Sequence, residues 1–273
     1  MRDFIFVTSM NQRLFSEYGE RFIREFLQNK GNEIFLNIVF EDGIPNGLAL
    51  LPGLNCLEIK DSNHPRFKSL FGKLYEANGW KISQQKLPNG KIETKLFHDF
   101  RFDANRFSFK IFSLILSKKK DKSSLPFAWI DADVRCLKNF SSQDIYPFMP
   151  EKNQLMSYLG RDNFPPQNPY SETGFLGFNA EHTKIDSFLK RMEDIYLTGE
   201  IFTQKQWTDS WLWDYVRREY EQKGIRFKNI SGEFSHTNHP FINTGLGQYF
   251  DHLKGPKRKK LGKSFDKDYI VKK

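Results

Sequence analysis

One stretch constrains this chain more than any other: an apolar run that ends in two aspartates one residue apart, Asp131 and Asp133. A run of this kind predicts a short buried strand that carries its acidic pair to the C-terminal edge of a sheet. Two like charges this close are costly to bury unless a cation neutralises them. Side chains at i and i+2 of an extended chain point the same way, so we expect both carboxylates to reach one metal ion. Mn²⁺ or Mg²⁺ are the expected cations, since they prefer carboxylate oxygens and bridge to phosphates.

Composition places the chain among globular proteins. It has 273 residues, of which 38% are hydrophobic and 16% aromatic, enough for a substantial core. The longest apolar run, Phe109 to Leu116, is far shorter than the roughly 20 residues of a membrane helix. Two cysteines are too few for a disulfide framework or a structural zinc site. The N-terminal run lacks the features of a secretion signal and predicts a first strand, so we expect a cytoplasmic protein.

The positive charge is concentrated near the C-terminus. The formal net charge is +9, and the segment from Leu253 to Lys273 holds nine Lys or Arg residues against two Asp. A basic segment indicates an anionic partner: a nucleotide diphosphate, an anionic membrane surface or nucleic acid. A solvated, frayed terminus is the alternative interpretation.

The pattern along the chain predicts alternating strands and helices. Phe4–Thr8 reads as a strand, and Ser9 with Gln12 matches a capping box ahead of an amphipathic helix with apolar residues every four positions. Further predictions are strands at 33–41, 56–59 and 174–179, helices at 64–78, 103–120, 184–197 and 207–223, and a hairpin around Pro88-Asn89-Gly90. Strand–helix–strand order at this spacing favours an α/β fold with a mostly parallel central sheet flanked by helices.

A second motif lies near the C-terminus, where His252 and Gly255 are followed by Lys257 and Arg258. A histidine can supply a nitrogen ligand to a metal, and a glycine lets backbone N–H groups approach a phosphate closely. The cations beyond it can neutralise diphosphate oxygens. On its own, a histidine such as His252 is more often a surface residue than a metal ligand, so the motif becomes informative only together with the aspartate pair.

With both motifs in place, the chain resembles glycosyltransferases of the GT-A fold, whose hallmark is an Asp-x-Asp at the end of a central strand. The run from His252 to Arg258 is similar to the His-x-x-Gly-x-x-Lys signature of the family-8 retaining enzymes, which include glycogenin and lipopolysaccharide galactosyltransferases, with Arg258 in place of the Lys. The resemblance implies a single domain over 1–273. Its parts would be a nucleotide-binding half at 1–140, an acceptor half at 141–250, and a basic segment at 251–273 that closes the donor site.

The resemblance also implies roles for individual residues. Asp131, Asp133 and His252 would bind Mn²⁺ or Mg²⁺. The nucleotide sugar, taken to be a UDP-sugar, would be held by residues from four parts of the chain: Thr8, Ser9, Arg106, Lys110, Asp131, Ala132, Asp133, Gly255, Lys257 and Arg258. Several of these residues also fit a purely structural role. Ser9 is compatible with a helix cap, and Arg106 and Lys110 are compatible with an exposed helix face.

The expected reaction moves a sugar to an acceptor hydroxyl on a glycan, a glycolipid or another anionic acceptor such as a lipopolysaccharide-like molecule. If the enzyme retains configuration, the leaving phosphate itself takes the acceptor proton. If it inverts, a base is required, and Asp209 and Glu172 are the candidates, although Asp209 also fits a simple N-terminal helix position. Two other functions stay open: a nucleotidyltransferase, disfavoured by the lack of glycine in the loop after the first strand, and a nucleic-acid-binding protein that uses the basic tail.

Overall fold

The computed structural model describes residues 3–86, 88–164 and 170–270. Its strands follow one another in chain order as β1 (Phe4–Met10), β2 (Ile34–Phe40), β3 (Leu54–Glu58), β4 (Trp80–Lys86), β5 (Ile92–His98), β6 (Phe127–Ile130), β7 (Val134–Cys136), β8 (Gln154–Leu159), β9 (Glu172–Phe178), β10 (Arg226–Asn229) and β11 (Phe250–His252).

The α-helices are α1 (Gln12–Leu14), α2 (Glu20–Asn29), α3 (His64–Phe71), α4 (Ala104–Lys120), α5 (Ser142–Ile145), α6 (Ile185–Leu197), α7 (Asp209–Glu221), α8 (Pro240–Asn243) and α9 (Gly255–Leu261). A π-helical stretch, Phe15–Gly19, joins α1 to α2. Short 3₁₀ turns lie at Leu48–Leu50, Ile59–Asp61, Glu76–Asn78, Phe100–Phe102, Tyr146–Phe148, Glu200–Thr203, Gly232–His236, Gly245–Gln248 and Asp266–Asp268.

Seven strands form the central sheet in the order β10-β8-β9-β6-β1-β2-β3. β1 is parallel to both β2 and β6, β2 is parallel to β3, and β8 is parallel to β10. Only β9 runs antiparallel to its two neighbours. The predicted mostly parallel sheet is therefore confirmed. The chain moves from β1 towards β3 on one side and later returns to β6 on the other, so the strand order reverses between β1 and β6, the point where α/β sheets bind ligands.

Two apolar clusters cover the two faces of this sheet. On one face α4, α6 and α7 pack through residues such as Phe112, Tyr196 and Trp213. On the other face α2 packs through Phe22 and Phe26, together with side chains from α8 and β11. The helices therefore flank the sheet as expected, and their apolar faces shield strands that are buried on both sides.

Several predicted boundaries are corrected by the structure. The helix expected over 64–78 ends at Phe71, and the strand expected from Gly174 begins two residues earlier at Glu172. The capping box at Ser9 is wrong, because β1 continues through Ser9 to Met10. Asn11 caps the helix instead, and its Oδ1 accepts a hydrogen bond from the Leu14 N–H at 2.8 Å. Pairing with β2 thus overrides the local capping preference of Ser9.

Candidate active site

The aspartate pair lies at the carboxyl end of β6, beside the carboxyl end of β1. Residues 131–133 form a tight turn rather than the extended segment that was expected, and the Val134 N–H donates to the Asp131 carbonyl at 3.3 Å. The turn leads directly into β7, which pairs with β11 and so places His252 next to the aspartates. Register between two short strands, and not i/i+2 spacing, therefore assembles this group.

The three side chains form a compact set of metal-ligand atoms. Their oxygen and nitrogen atoms all lie within 4.8 Å of one another, and His252 Nε2 is 3.4 Å from both Asp131 Oδ2 and Asp133 Oδ1. Asp133 Oδ1 is buried and makes no hydrogen bond to any residue that the structure describes. Two carboxylates, one of which has this unsatisfied buried oxygen, and one imidazole fit Mn²⁺ well, since this ion accepts both oxygen and nitrogen ligands. These residues therefore fit the divalent metal that the sequence resemblance implies.

Cations already surround the aspartates on two sides. Lys110 Nζ lies 3.0 Å from Asp131 Oδ1 and 2.5 Å from Asp209 Oδ2, while Lys259 Nζ lies 2.7 Å from Asp133 Oδ2. Burial works to raise the pKa of Asp131, but the Lys110 charge and hydrogen bonds outweigh it and hold that pKa below its usual range. Asp133 behaves alike: burial opposes ionisation, and His252 and Lys259 overcome it, so its pKa is also lowered. Both carboxylates are thus kept charged at neutral pH.

Behind His252 lies a buried polar group centred on Glu172. Its Oε1 is 2.8 Å from His252 Nδ1, 3.0 Å from His239 Nδ1 and 3.2 Å from Lys254 Nζ. Glu172, His239 and His252 also bring potential ligand atoms together, but in Glu172 and His239 these atoms are already engaged, since His239 Nε2 donates to the His252 carbonyl at 2.8 Å. Glu172 therefore turns Nε2 of His252 towards the aspartates, as carboxylates commonly do for metal-binding histidines.

An open cleft of about 1010 Å³ lies in front of the aspartates. Of the predicted site residues, eight line it: Ser9, Arg106, Lys110, Asp131, Ala132, Asp133, Asp209 and Gly255. His252 lies just behind the lining. Asp209 is held in place by Lys110 and by the Thr173 hydroxyl, which donates to its Oδ2 at 2.8 Å.

Four predicted residues do not reach this cleft. Thr8 is fully buried within β1, and Glu172 is 1% exposed behind His252, too enclosed to act as a base on a substrate. Lys257 lies outside the lining, and Arg258 turns away, with its guanidinium on both Asp268 oxygens at 2.5 and 2.6 Å. The cause is the helical periodicity of α9, which directs positions 255, 256, 259 and 260 towards the cleft and 258 towards the opposite side.

The structure also brings in cleft residues that the sequence analysis missed. Lys259 and Lys260 line the cleft in place of the expected Lys257 and Arg258. Each lies one helical turn after Gly255 or Pro256, so helical spacing could have predicted both from the sequence. Glu41 follows β2 and accepts a hydrogen bond from Asn11 Nδ2 at 3.3 Å. Burial raises the pKa of Glu41 to about 7, against a weaker opposing effect of Asn11. Glu41 comes directly after a central strand, as Asp131 does, and this position in the sequence could have predicted a residue of the cleft.

The C-terminal basic segment is ordered where the structure describes it. Ser264 donates to Asp251 through its N–H at 2.8 Å, and Arg135 Nη1 donates to the Gly262 carbonyl at 2.5 Å. These contacts fix the chain that follows α9 and so keep this helix beside the cleft. Lys272 and Lys273 lie outside the described residues. Within the described part of the chain, every helix is too short or too polar to cross a membrane.

No protein-family profile matches the sequence, and no curated protein matches it either. Solved structures do match. The apo bifunctional glycosyltransferase WbbM shares 10% identity over 93% of this chain and 46% of its own, with a TM-score of 0.49. Mouse xyloside xylosyltransferase 1 shares 9% identity over 83% of this chain and 84% of its own, with a TM-score of 0.43. The galactosyltransferase LgtC, solved with donor and acceptor sugar analogues, shares 10% identity over 92% of this chain and 87% of its own, with a TM-score of 0.45.

This chain spans less than half of the WbbM chain and most of the other two. All three neighbours are described as glycosyltransferases. We infer the function of this chain from the cleft itself.

Proposed function

We propose that this chain is a metal-dependent glycosyltransferase that moves a sugar from a nucleotide diphosphate sugar to an acceptor hydroxyl. One observation carries the proposal: Asp131, Asp133 and His252 converge beside Lys110 and Lys259 at the inner end of a large cleft, where the strand order of the sheet reverses. Paired carboxylates flanked by lysines suit a metal-bound diphosphate, because the acidic groups hold the cation and the lysines neutralise the phosphate oxygens.

The donor site we propose follows the cleft lining. Ser9, Asn11 and Glu41 line the end of the cleft at β1 and β2, where a nucleoside would find hydrogen-bond partners. Gly255 has a φ of +79°, begins α9 and leaves backbone N–H groups open to a phosphate. Lys259 and Lys260, one turn further on, add positive charge at the same place. A UDP-sugar is the donor that the sequence resemblance favours.

The bound divalent cation would supply electrostatic stabilisation of the diphosphate leaving group. The residues of this chain do the remaining work. Lys110 pairs with both Asp131 and Asp209 as a fixed cation, and Asp209 presents a carboxylate to the cleft beside the metal ligands. We place Asp209 near the transferred sugar and the acceptor, where it orients a hydroxyl if configuration is retained and accepts its proton if it is inverted. The transferred sugar in this proposal is a hexose, and the acceptor is a glycan or a lipopolysaccharide-like molecule.

A thermal-shift screen tests the donor site. UDP, GDP, CDP and the corresponding nucleotide sugars are added with and without Mn²⁺ or Mg²⁺, because a ligand that binds only the native state raises the unfolding midpoint. We expect one nucleotide diphosphate to raise the midpoint only when metal is present. In Asp131→Asn and Asp133→Asn this metal-dependent shift should vanish, with hydrolysis or transfer of the sugar lost in parallel.

Other outcomes would assign the cleft to another chemistry. A shift with nucleoside triphosphates alone would indicate a nucleotidyltransferase. Binding of DNA or RNA that weakens steeply with salt and survives in Asp133→Asn would indicate a nucleic-acid-binding protein. Undiminished sugar transfer by both aspartate variants would overturn the assignment of the metal ligands.

A further inference from the structure

A two-stranded hairpin, β4–β5, leaves the body of the protein beside the cleft. It forms a sheet of its own, separate from the seven-stranded sheet. Along both strands, most side chains are exposed on either face. An isolated two-stranded hairpin is marginally stable in water. Packing within the hairpin therefore does not explain why it carries apolar side chains that face the solvent.

Exposed apolar side chains are concentrated in this region. Nine of the sixteen large hydrophobic side chains exposed in the described residues fall between positions 70 and 100: Leu70, Leu74, Tyr75, Trp80, Ile82, Ile92, Leu96, Phe97 and Phe100. Single exposed apolar residues are normal on a protein surface, but a contiguous group marks an interaction site.

Strand register shows that many of these side chains share one face. Trp80 lies opposite His98, and Ile82 opposite Leu96. Ile92 begins β5 two alternations before Leu96 and therefore lies on the same side. Tyr75 extends this face by stacking on Trp80, with ring centroids 6.1 Å apart. Ile82 and Ile92 are 66% and 65% exposed. We call this group (Tyr75, Trp80, Ile82, Ile92 and Leu96) the hairpin apolar face.

The same segment is strongly basic. Between His64 and His98 there are seven Lys or Arg residues against only two acidic residues, Glu76 and Glu93. Lys95 is paired with Glu93, and Lys81 lies 3.0 Å above the ring of Phe102. Exposed Ile and Leu side chains with Trp and Tyr among lysines are the pattern of segments that lie in the interface of an anionic membrane.

The base of the hairpin is fixed to the rim of the cleft. The Asp99 N–H donates to the Gly79 carbonyl at 2.7 Å, and Asn105 Nδ2 donates to Asn78 Oδ1 at 2.6 Å. Asn78 and Asn105 both line the cleft. A surface bound by the hairpin is therefore held next to the opening of the cleft.

We propose that the hairpin apolar face binds the interface of an anionic lipid bilayer, with its aliphatic side chains among the lipids and its lysines at the headgroups. A second copy of this chain is a poorer occupant, because two segments with this excess of positive charge repel each other. The proposal goes beyond sugar transfer and does not depend on it. Its consequence is that the cleft opens at the membrane surface, where lipid-borne molecules would reach it.

The test is flotation of the full chain with two kinds of vesicle: phosphatidylcholine alone, and equal parts of phosphatidylcholine and phosphatidylglycerol. We expect binding to the anionic vesicles, weaker binding to the neutral ones, and release as salt rises. The triple variant Ile82→Ser/Ile92→Ser/Leu96→Ser should lower the affinity by at least about tenfold, since it removes the apolar contribution while keeping every lysine. Leu50→Ser, which changes a leucine that is 85% exposed elsewhere on the surface, should bind as the parent does.

A second measurement reports on the hairpin directly. Trp80 is 38% exposed and lies on the hairpin, whereas Trp129, Trp207 and Trp213 are buried. The fifth tryptophan, Trp211, is half-buried and stacks on Tyr215 in α7, outside the hairpin. Adding anionic vesicles should therefore shift tryptophan emission to shorter wavelength, and the shift should disappear in Trp80→Phe. The triple variant should keep its thermal midpoint and its nucleotide response, because none of its three residues belongs to the core or to the cleft lining.

Several results would overturn the proposal. One is failure of the parent protein to bind anionic vesicles, and another is equal binding by the triple variant. Loss of binding only in Lys263→Glu/Lys267→Glu would assign the membrane contact to the C-terminal segment. Concentration-dependent dimerisation that the triple variant abolishes, without vesicle binding, would assign the face to a second copy of the chain. Each of these results leaves the nucleotide screen unaffected, so the two proposals fail independently.

Discussion

Gly174 lies against the imidazole of His252. A Cβ atom at position 174 would come within 2.6 Å of both Cε1 and Nδ1 of the ring, closer than real Cβ contacts allow. The backbone of β9 thus leaves room for His252 to stand between Glu172 and the aspartate pair. Glycine at this position serves close approach rather than a special backbone angle.

Gly174→Ala should displace His252 and lower the affinity for Mn²⁺ by about 10- to 100-fold, the usual cost of losing the support of a metal ligand. The measurement is Mn²⁺ binding by electron paramagnetic resonance without nucleotide. Gly177→Ala is the matched control, because its Cβ would meet Ser157 and Met149, away from the site, at 2.4 and 2.8 Å. Both variants should lose stability, but only Gly174→Ala should lose metal affinity. Equal metal binding by the two would contradict the role of His252.

Lys110 pairs with the carboxylates of Asp131 and Asp209, and its removal should destabilise the folded protein. Lys110→Met leaves Asp131 and Asp209 without their shared cation, so we expect about 3–5 kcal/mol less stability at neutral pH. The Asp131 pKa is lowered in the native protein, so its stabilising contribution is present above the ordinary carboxyl pKa and is lost as pH falls through the native value. At pH 4 the parent therefore keeps most of this contribution, whereas the unpaired buried Asp131 of the variant takes up a proton more readily as pH falls. The difference in stability between variant and parent should shrink for that reason.

Urea unfolding of the Lys110→Met variant at pH 7.5 and pH 4 measures this difference. The double variant Lys110→Met/Asp209→Asn serves as the comparison, since it removes one of the two unpaired charges and should recover part of the loss. A loss of equal size at both pH values would show that packing, and not charge, is the role of Lys110.

Lys257 and Lys259 of α9 should differ in their effects on ligand binding. Lys259→Ala removes the cation next to Asp133, so we expect about tenfold weaker binding of the nucleotide diphosphate, or about 1.4 kcal/mol. Lys257→Ala is the matched control, because it removes the same charge from the same helix outside the cleft lining. Titration calorimetry at two salt concentrations measures both. If Lys257→Ala weakens binding and Lys259→Ala does not, the original assignment of Lys257 from the sequence is correct.

Glu41 should make the stability of the protein depend on pH. Its pKa rises to about 7 in the folded state, so the native protein binds a proton that the unfolded chain has released. The free energy of unfolding should therefore fall as pH rises from the ordinary glutamate value towards 7. Glu41→Gln mimics the protonated form and should be more stable than the parent at pH 8 by about 1–2 kcal/mol, with solvent screening in the cleft limiting the gain.

Thermal unfolding of the Glu41→Gln variant and the parent at pH 5 and pH 8 checks this expectation. Near pH 5 the two proteins should be almost equally stable. Asp42→Asn is the control, since it removes only a smaller contribution to the raised Glu41 pKa and should weaken the pH dependence only slightly. A constant difference between Glu41→Gln and the parent across this range would mean that Glu41 is ionised throughout.

Local patterns in the sequence were sufficient for most elements of the fold. The alternation of strands and helices, the hairpin around Asn89-Gly90 and the helix opened by Asp103 are all present, because each depends on periodicity or turn chemistry over a few neighbouring residues. The acidic pair at the end of a buried strand was also readable, since burying two like charges demands a cation whatever the surrounding fold. Ser9 shows the limit of such patterns, because pairing with β2 decided its conformation.

The residue types of the site, and the strand end near which they lie, could be predicted from the sequence. Which of these residues meet depends on the tertiary fold. His252 reaches the aspartates through the pairing of β7 with β11, and Glu172 reaches His252 through the start of β9. Lys259 of α9 faces Asp133, while Arg258 lies on the opposite side of the helix and contacts Asp268. Such contacts join positions as far apart as 133 and 259 and depend on register and helix rotation, which sequence neighbours do not encode.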